Sequence, residues 1–284
     1  MIYLITVNYC STDLIDQLLA SIKSTGASNF KLVIVNNSPD DRRIQTLAGA
    51  SVFVLEAQKN LGFGSGCNLG LQWVYHQDPQ AIVWLINPDT TLPEAAVTQA
   101  NQFFQTHPDL AIVGTVVEQP NGQPWFTGGQ FIANTGAIQT IDLFSKSSEA
   151  DYVACDWVTG CSMLLNFRQF SHCPQFDPAY FLYYEDFDFC QRYQQAGYSV
   201  GITNSIRVIH QPSSISDRNL QTKFRYSTFS YLLTLERYAG RLTLGLRLLR
   251  LALHALVLLP VKPPIAIGKL QGIVTYFTRN RDFE

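Results

Sequence analysis

WLINPD, residues 84–89, is the stretch on which the fold turns. Val83, Trp84, Leu85 and Ile86 read as a buried strand that runs straight into Asn87, Pro88 and Asp89. Proline has no N–H for a sheet ladder, so the strand must end there. The carboxylate of Asp89 and the amide of Asn87 then stand at a carboxyl strand end, where open α/β sheets hold their ligands. Asn-Pro-Asp is also an ordinary turn former, so the surrounding chain has to decide what the tripeptide does.

Upstream, three further apolar runs read as strands: residues 2–7 (IYLITV), 31–35 (KLVIV) and 51–55 (SVFVL). Ser11, Thr12 and Asp13 offer caps for a helix with Leu14, Ile15, Leu18, Leu19 and Ile22 on one face. A helical pattern through Leu69, Leu71, Trp73 and Val74 follows the glycine-rich loop 60–68 (NLGFGSGCN), and residues 93–107 read as another helix before a strand at 110–117. Apolar strands alternating with helices predict an α/β fold with a mainly parallel sheet covered on both faces. Strand ends carry small polar residues: Thr6 and Asn8, then Asn36 to Ser38, then Asp89. Strand ends of one sheet converge, so these side chains can line a single crevice. The glycines at 62, 64 and 66 have the freedom to approach a phosphate ahead of a helix N-terminus. The loop matches neither the dinucleotide fingerprint nor the P-loop.

Downstream, turn signals at 120–122 and 127–129 predict a small, irregular antiparallel insert. The densest stretch is FDPAYFLYYEDFDFCQR, residues 176–192, in which Glu185, Asp186 and Asp188 follow an aromatic run and open a helix. Acids in a first helical turn are ordinary on dipole grounds. Beside Phe and Tyr surfaces, though, a carboxylate is partly desolvated and suited to act as a base. His210 closes a strand read at 205–209; alone, such a histidine is more often structural.

Composition agrees with a folded globular protein: 284 residues, 46% hydrophobic and 15% charged. The net charge of −2 is unevenly placed, with −9 on residues 1–216 and +7 on residues 217–284. That asymmetry suggests an acidic body with a basic tail for an anionic surface or partner; no nucleic-acid partner is expected. Six cysteines lack CxxC and zinc spacings, which points to a reduced, cytoplasmic protein. MIYLITVNY lacks the basic region and longer apolar core of a signal peptide. In the tail, residues 224–238 and 241–259 have long helical patterns with arginines among leucines. The apolar run 251–261 is too short to cross a bilayer, but the helix could lie in a membrane surface, pack on the body, or bury a homodimer contact.

The set TVNY (6–9), VNNS (35–38), NLGFGSGCN (60–68), NPD (87–89), DWVTGCSML (156–164), the 176–192 stretch and His210, in this order, resembles the inverting GT-A-fold glycosyltransferases of family 2, most closely their rhamnosyltransferase-like branch. The resemblance covers roughly residues 2–216. It implies a Rossmann-like GT-A domain over 1–216, with a nucleotide-sugar half at 1–118 and an acceptor half at 119–216, and a helical extension at 217–284. It implies transfer of a sugar, with rhamnose from dTDP-rhamnose the first choice and UDP-linked sugars open, to a glycan or lipid-linked acceptor in cell-surface polysaccharide synthesis. Residue by residue, Thr6, Asn8, Tyr9, Asn36 and Ser38 would contact base and ribose. Asn60, Gly62, Phe63, Gly64, Asn68 and Asn87 would lie beside the diphosphate and donor sugar. Asp89 and His210 would hold Mg²⁺ or Mn²⁺, Asp186 would be the catalytic base with Glu185 beside it, and Trp157, Gly160 and Tyr184 would meet the acceptor. The protein would then work in the cytoplasm or on the inner face of the cell membrane. Two departures stand out: Asn36-Asn37 where the family usually has Asp-Asn, and Asn-Pro-Asp in place of Asp-x-Asp. A sugar-nucleotide nucleotidyltransferase and a non-catalytic sugar-nucleotide-binding module are the alternative readings.

Overall fold

The computed structural model describes residues 1–27, 29–145, 150–211 and 219–279. In chain order the elements are β1 (Ile2–Asn8), α1 (Thr12–Ser24), β2 (Phe30–Asn36), β3 (Val52–Glu56), α2 (Phe63–Gln77), β4 (Ile82–Ile86), β5 (Thr90–Thr91), α3 (Ala96–Thr106) and β6 (Ile112–Glu118). They continue with β7 (Pro124–Phe126), β8 (Gly129–Ile132), β9 (Ala137–Thr140), β10 (Tyr152–Ala154), β11 (Ser162–Asn166), α4 (Glu185–Gln195), β12 (Val200–His210), α5 (Leu220–Tyr238), α6 (Arg241–Leu258) and α7 (Pro263–Thr278). The helix α7 was not anticipated, because two prolines and two glycines dilute its pattern. The prolines sit in its first turn, where a missing N–H costs nothing.

One mixed sheet organises the body, in the order β10-β12-β6-β11-β4-β1-β2-β3. Strands β3, β2, β1 and β4 run parallel, as their all-apolar character predicts. The chain order reverses between β1 and β4, a switch point of the kind that opens a crevice at carboxyl ends. Strand β11 enters antiparallel between β4 and β6, and β12 runs parallel to β6. The small antiparallel pair is β8–β9. Trp84 is fully buried on β4, and its indole N–H donates to Ser162 Oγ at 2.9 Å on β11, which also takes the Thr115 hydroxyl at 2.7 Å from β6. This polar node locks three neighbouring strands in register.

Glycine allows α2 to lie close on the sheet. A Cβ at Gly70 would sit 2.6 Å from Ile5 Cγ2, and one at Gly66 would press on Val7 and Asn37. The expected cap at Ser11 is different in kind: its hydroxyl donates to Asn8 Oδ1 instead of capping α1. The boundary expected between residues 216 and 217 lies outside the described residues.

Replacing Ser162 with Ala leaves the buried Trp84 N–H and Thr115 hydroxyl without their partner. A loss of about 1–3 kcal/mol in denaturant unfolding is expected. A change below about 0.5 kcal/mol would show that the node does not hold the three strands.

Candidate active site

Asn8, Asn36 and Ser38 come from the carboxyl ends of β1 and β2, beside a groove of about 490 Å³ lined by Tyr9, Cys10, Asn37, Ser38, Asp41, Arg43 and Asn60, among others. Of the residues expected to contact a base and ribose, Tyr9 and Ser38 line this groove, as does Asn60. Asn8 and Asn36 lie beneath it, buried and committed to protein partners. The Asn8 amide donates to Asn36 Oδ1 and Asp41 Oδ2, while its own oxygen accepts from the Ser11 N–H and hydroxyl. Thr6 is buried, with a hydroxyl that has no hydrogen-bond partner. Asp41 was missed by sequence reading. Among several acids in a polar turn nothing local distinguishes it, yet its carboxylate accepts from Thr12 Oγ1 at 2.7 Å at the groove wall.

The glycine-rich loop serves packing first. Gly62 has φ +81°, and a Cβ there would stand 2.0 Å from Phe181 O. Asn37 Nδ2 holds the Gly62 carbonyl at 2.7 Å, and the Gly62 N–H donates to Asn60 Oδ1. A Cβ at Gly64 would meet Phe176, and Asn68 exchanges two hydrogen bonds with the Phe176 backbone. The start of α2 is thereby pinned to the segment that carries the acid pair.

Asp186 and the strand end that leads to Asp89 hang from a single turn. The Asn87 N–H donates to Cys161 O at 3.0 Å, and the neighbouring Gly160 N–H donates to Asp186 Oδ2 at 2.9 Å. The buried Cys161 thiol lies near both carboxylates: burial pushes its pKa well up, and Asp89 and Asp186 push it further. A Cβ on Gly160 would press on the Phe63 ring and on Asp186. Asp186 also accepts from the Phe187 N–H at 2.8 Å. Burial raises its pKa from the ordinary carboxylate value, and the backbone donors oppose that rise. Glu185 is buried with no hydrogen-bond partner at Oε2; burial, then the Asp186 charge, drive its pKa well up. Trp157 packs against Phe187 beside this turn. Tyr184 turns away from it, toward Tyr231 on α5, with ring centroids 5.5 Å apart.

On the other side, β5 pairs with the end of β12. That register brings His210 Nε2 to 3.1 Å from Asp89 Oδ1, both side chains being nearly fully buried. Trp125, another residue sequence reading missed, stands edge-on to the His210 ring at 4.9 Å. Among the described residues no group of three His, Cys, Asp or Glu side chains is placed to hold a metal ion. One carboxylate and one imidazole, whose buried Nδ1 has no hydrogen-bond partner, fit a hard divalent cation that takes its remaining ligands from water and a diphosphate.

The aromatic run before the acids proves to be the seat of α5. Phe181 stacks on Tyr226, the Tyr180 hydroxyl meets Thr234 Oγ1 at 3.2 Å, and Ser230 Oγ donates to Leu182 O at 2.9 Å. The wholly buried Asp188 accepts from Arg192, Arg237 and the Tyr238 hydroxyl.

Comparison with known proteins comes down on one family. A model of glycosyl transferase family 2 matches residues 2–170. A low-salt glycan biosynthesis hexosyltransferase, Agl10 of Haloferax volcanii, is 23% identical over 81% of this chain and 71% of its own. The rhamnosyltransferase WbbL of Escherichia coli is also 23% identical, over 82% and 92%. Among solved structures, GalNAc-T7 with UDP, GalNAc and Mn²⁺ superposes with a TM-score of 0.59 at 12% identity. The match covers 82% of this chain and half the length of the GalNAc-T7 chain, and it shows the shared GT-A fold.

Glu185 sets a sign for stability against pH. A carboxyl whose folded pKa exceeds its unfolded value binds its proton more tightly when folded. Its stabilising contribution is therefore full at low pH and is lost as pH rises through the folded value. Glu185→Gln, which cannot ionise, should melt a few degrees above the wild type at neutral pH, with the gap closing toward about pH 4. A gap that does not change with pH would mean that Glu185 is not held protonated.

Proposed function

The chain belongs to glycosyl transferase family 2, and from that premise we propose that it moves a sugar from a nucleotide-sugar donor to an acceptor hydroxyl with inversion at the anomeric carbon. The observation that carries this reading is the turn at residues 159–161, which holds Asp186 and the Asn87–Asp89 strand end on neighbouring residues. Residues 1–118 would hold the donor, 119–216 would face the acceptor, and 217–284 would form the helical extension. Tyr9, Ser38 and Asn60 would meet the nucleotide in the groove, with Asp41 at its wall.

The acceptor oxygen attacks the anomeric carbon from the face opposite the diphosphate, its O–H proton passes to Asp186, and the sugar–phosphate bond breaks to release a nucleoside diphosphate. No protein nucleophile is needed, because one displacement inverts the centre. Burial makes Asp186 more basic than a surface carboxylate, while its two backbone donors keep the ionised form accessible. Burial and the Asp186 charge raise the Glu185 pKa, which disfavours a second negative charge beside Asp186. Asp89 and His210 would hold Mg²⁺ or Mn²⁺, which when bound offsets negative charge on the leaving diphosphate. Rhamnose from dTDP-rhamnose is the first choice of donor, supported by the likeness to WbbL, with UDP-linked sugars the next. The acceptor would be a glycan or a lipid-linked glycan in cell-surface polysaccharide synthesis. No described helix is long and apolar enough to cross a membrane, so contact with the inner face of the membrane would be peripheral, through the C-terminal helices.

Incubation with dTDP-, UDP- and GDP-sugars should release nucleoside diphosphate with one of them. Asp186→Asn should lower kcat by about 10²–10⁴-fold with little change in donor affinity by thermal shift. A variant keeping more than about a tenth of kcat would remove Asp186 from the role of base. Dialysis against EDTA should abolish release, with Mg²⁺ or Mn²⁺ restoring it. Full turnover in EDTA would reject the metal role of Asp89 and His210.

A further inference from the structure

Helix α6 leaves one face uncovered. Leu242, Leu246, Leu249, Leu253 and Leu256 recur at alternating steps of four and three residues, with Val257 beside them. Their exposures run from 54% at Leu253 to 78% at Leu242. At 100° per residue they form a single stripe about 100° wide. Its opposite side rests on the body: Ala255 is buried, Thr243 Oγ1 donates to Asn134 O, and Arg247 donates to Thr135 O. Arg250 and His254 flank the leucines along a shallow groove of about 480 Å³. On α7, Val274 and Phe277 are likewise more than half exposed. A continuous apolar stripe of this length is more than a folded surface ordinarily leaves to water.

What covers it is decided by charge. Residues 241–278 contain five lysines and arginines and no aspartate or glutamate. A second copy docked face to face would set Arg241 and Arg250 against their own equivalents, with no carboxylate on α6 or α7 to pair with them. We infer that this face lies in the surface of an anionic lipid bilayer, leucines among the acyl chains and arginines at the headgroups. Long arginine stems permit that arrangement, since they lie along apolar surface while the guanidinium stays wet. The inference rests on the proposed sugar transfer only in supplying its acceptor: a lipid-linked hydroxyl would be presented at the same surface. The route inward is built, because α6 follows α5 directly, and α5 bonds to Leu182 O through Ser230 and to Asp188 through Arg237.

The test is flotation of the purified full chain, without substrate, with vesicles of phosphatidylcholine alone or with phosphatidylglycerol added, at moderate salt. The wild type should float with the anionic vesicles and not with the neutral ones. Leu249→Glu combined with Leu253→Glu should lower the bound fraction at least about tenfold. Arg241→Gln with Arg250→Gln, a milder pair that keeps the apolar face, should weaken binding and reduce its salt dependence. Failure to float with anionic vesicles would overturn the inference. So would a wild-type dimer that the glutamate pair converts to monomer while neither protein floats, since a second copy would then be the cover. Nucleoside diphosphate release to a water-soluble acceptor should be unchanged in the glutamate pair. Because flotation is read without catalysis, failure of sugar transfer leaves it standing.

Discussion

Two hydrogen bonds on neighbouring residues set the distance between the halves of the site: Asn87 N–H to Cys161 O, and Gly160 N–H to Asp186 Oδ2. Sheet topology makes both possible. Strand β11 runs antiparallel to β4, so it begins where β4 ends, and Ser162 stands opposite Ile86. The turn just before β11 is therefore delivered to the carboxyl end of β4, beside Asn87. Strand β12 runs parallel to β6 and finishes at the same end, where β5 receives it and His210 meets Asp89. Asn87, Asp89 and His210 thus stand at strand ends, and the acid pair, on the first turn of α4, is tied to them through the turn before β11.

The acids arrive on backbone that is costly to hold. Tyr183 and Tyr184 both have positive φ, 69° and 63°, immediately before Glu185. Non-glycine residues in that region cost roughly 1–3 kcal/mol each and persist only where surrounding contacts over-determine them. Here those contacts come from α5: Tyr231 against Tyr184, and Ser230 on the Leu182 carbonyl. One turn further on, Asp188 has no solvent, yet two guanidinium groups and a tyrosine hydroxyl share its charge. A buried carboxylate left alone would be far more expensive than the strain it helps to hold. The C-terminal helices therefore hold the segment that carries the acid pair.

Much of this was legible in the chain because it is written locally. Uninterrupted apolar runs gave the parallel strands, Pro88 gave the end of β4, and the acids after an aromatic run gave the start of α4. What was not legible depends on partners far away in sequence. The aromatic run at 176–184 reads as a wall around a carboxylate, and only the arrival of α5 shows that it also seats a helix. Ser11 has the composition of a helix cap, but Asn8, three residues back, takes its hydroxyl. The glycine-rich loop suggested room for a phosphate. A Cβ at Gly62 would also meet the Phe181 carbonyl, 119 positions later in the chain, a packing role that nothing local announces. For the aromatic run and the glycine-rich loop, a partner far away in sequence supplies what local chemistry alone does not show.

The same logic accounts for Asn36, where the family usually carries an acid. Its amide nitrogen donates to Glu56 Oε2 at 2.9 Å across the β2–β3 pair, and its oxygen accepts from Asn8 and from the Ser38 N–H. An aspartate at 36 would keep the two acceptor contacts but turn an oxygen toward the Glu56 carboxylate. A buried carboxylate at hydrogen-bond distance from a second one would be disfavoured by repulsion and by its own desolvation. Asparagine is the residue that satisfies all three neighbours without charge. Negative charge at the groove wall comes from Asp13, Asp40 and Asp41, the last tied to the same Asn8 amide. A ligand entering there would find carboxylates on the wall and, beneath them, an amide network in which Asn36 adds no charge of its own.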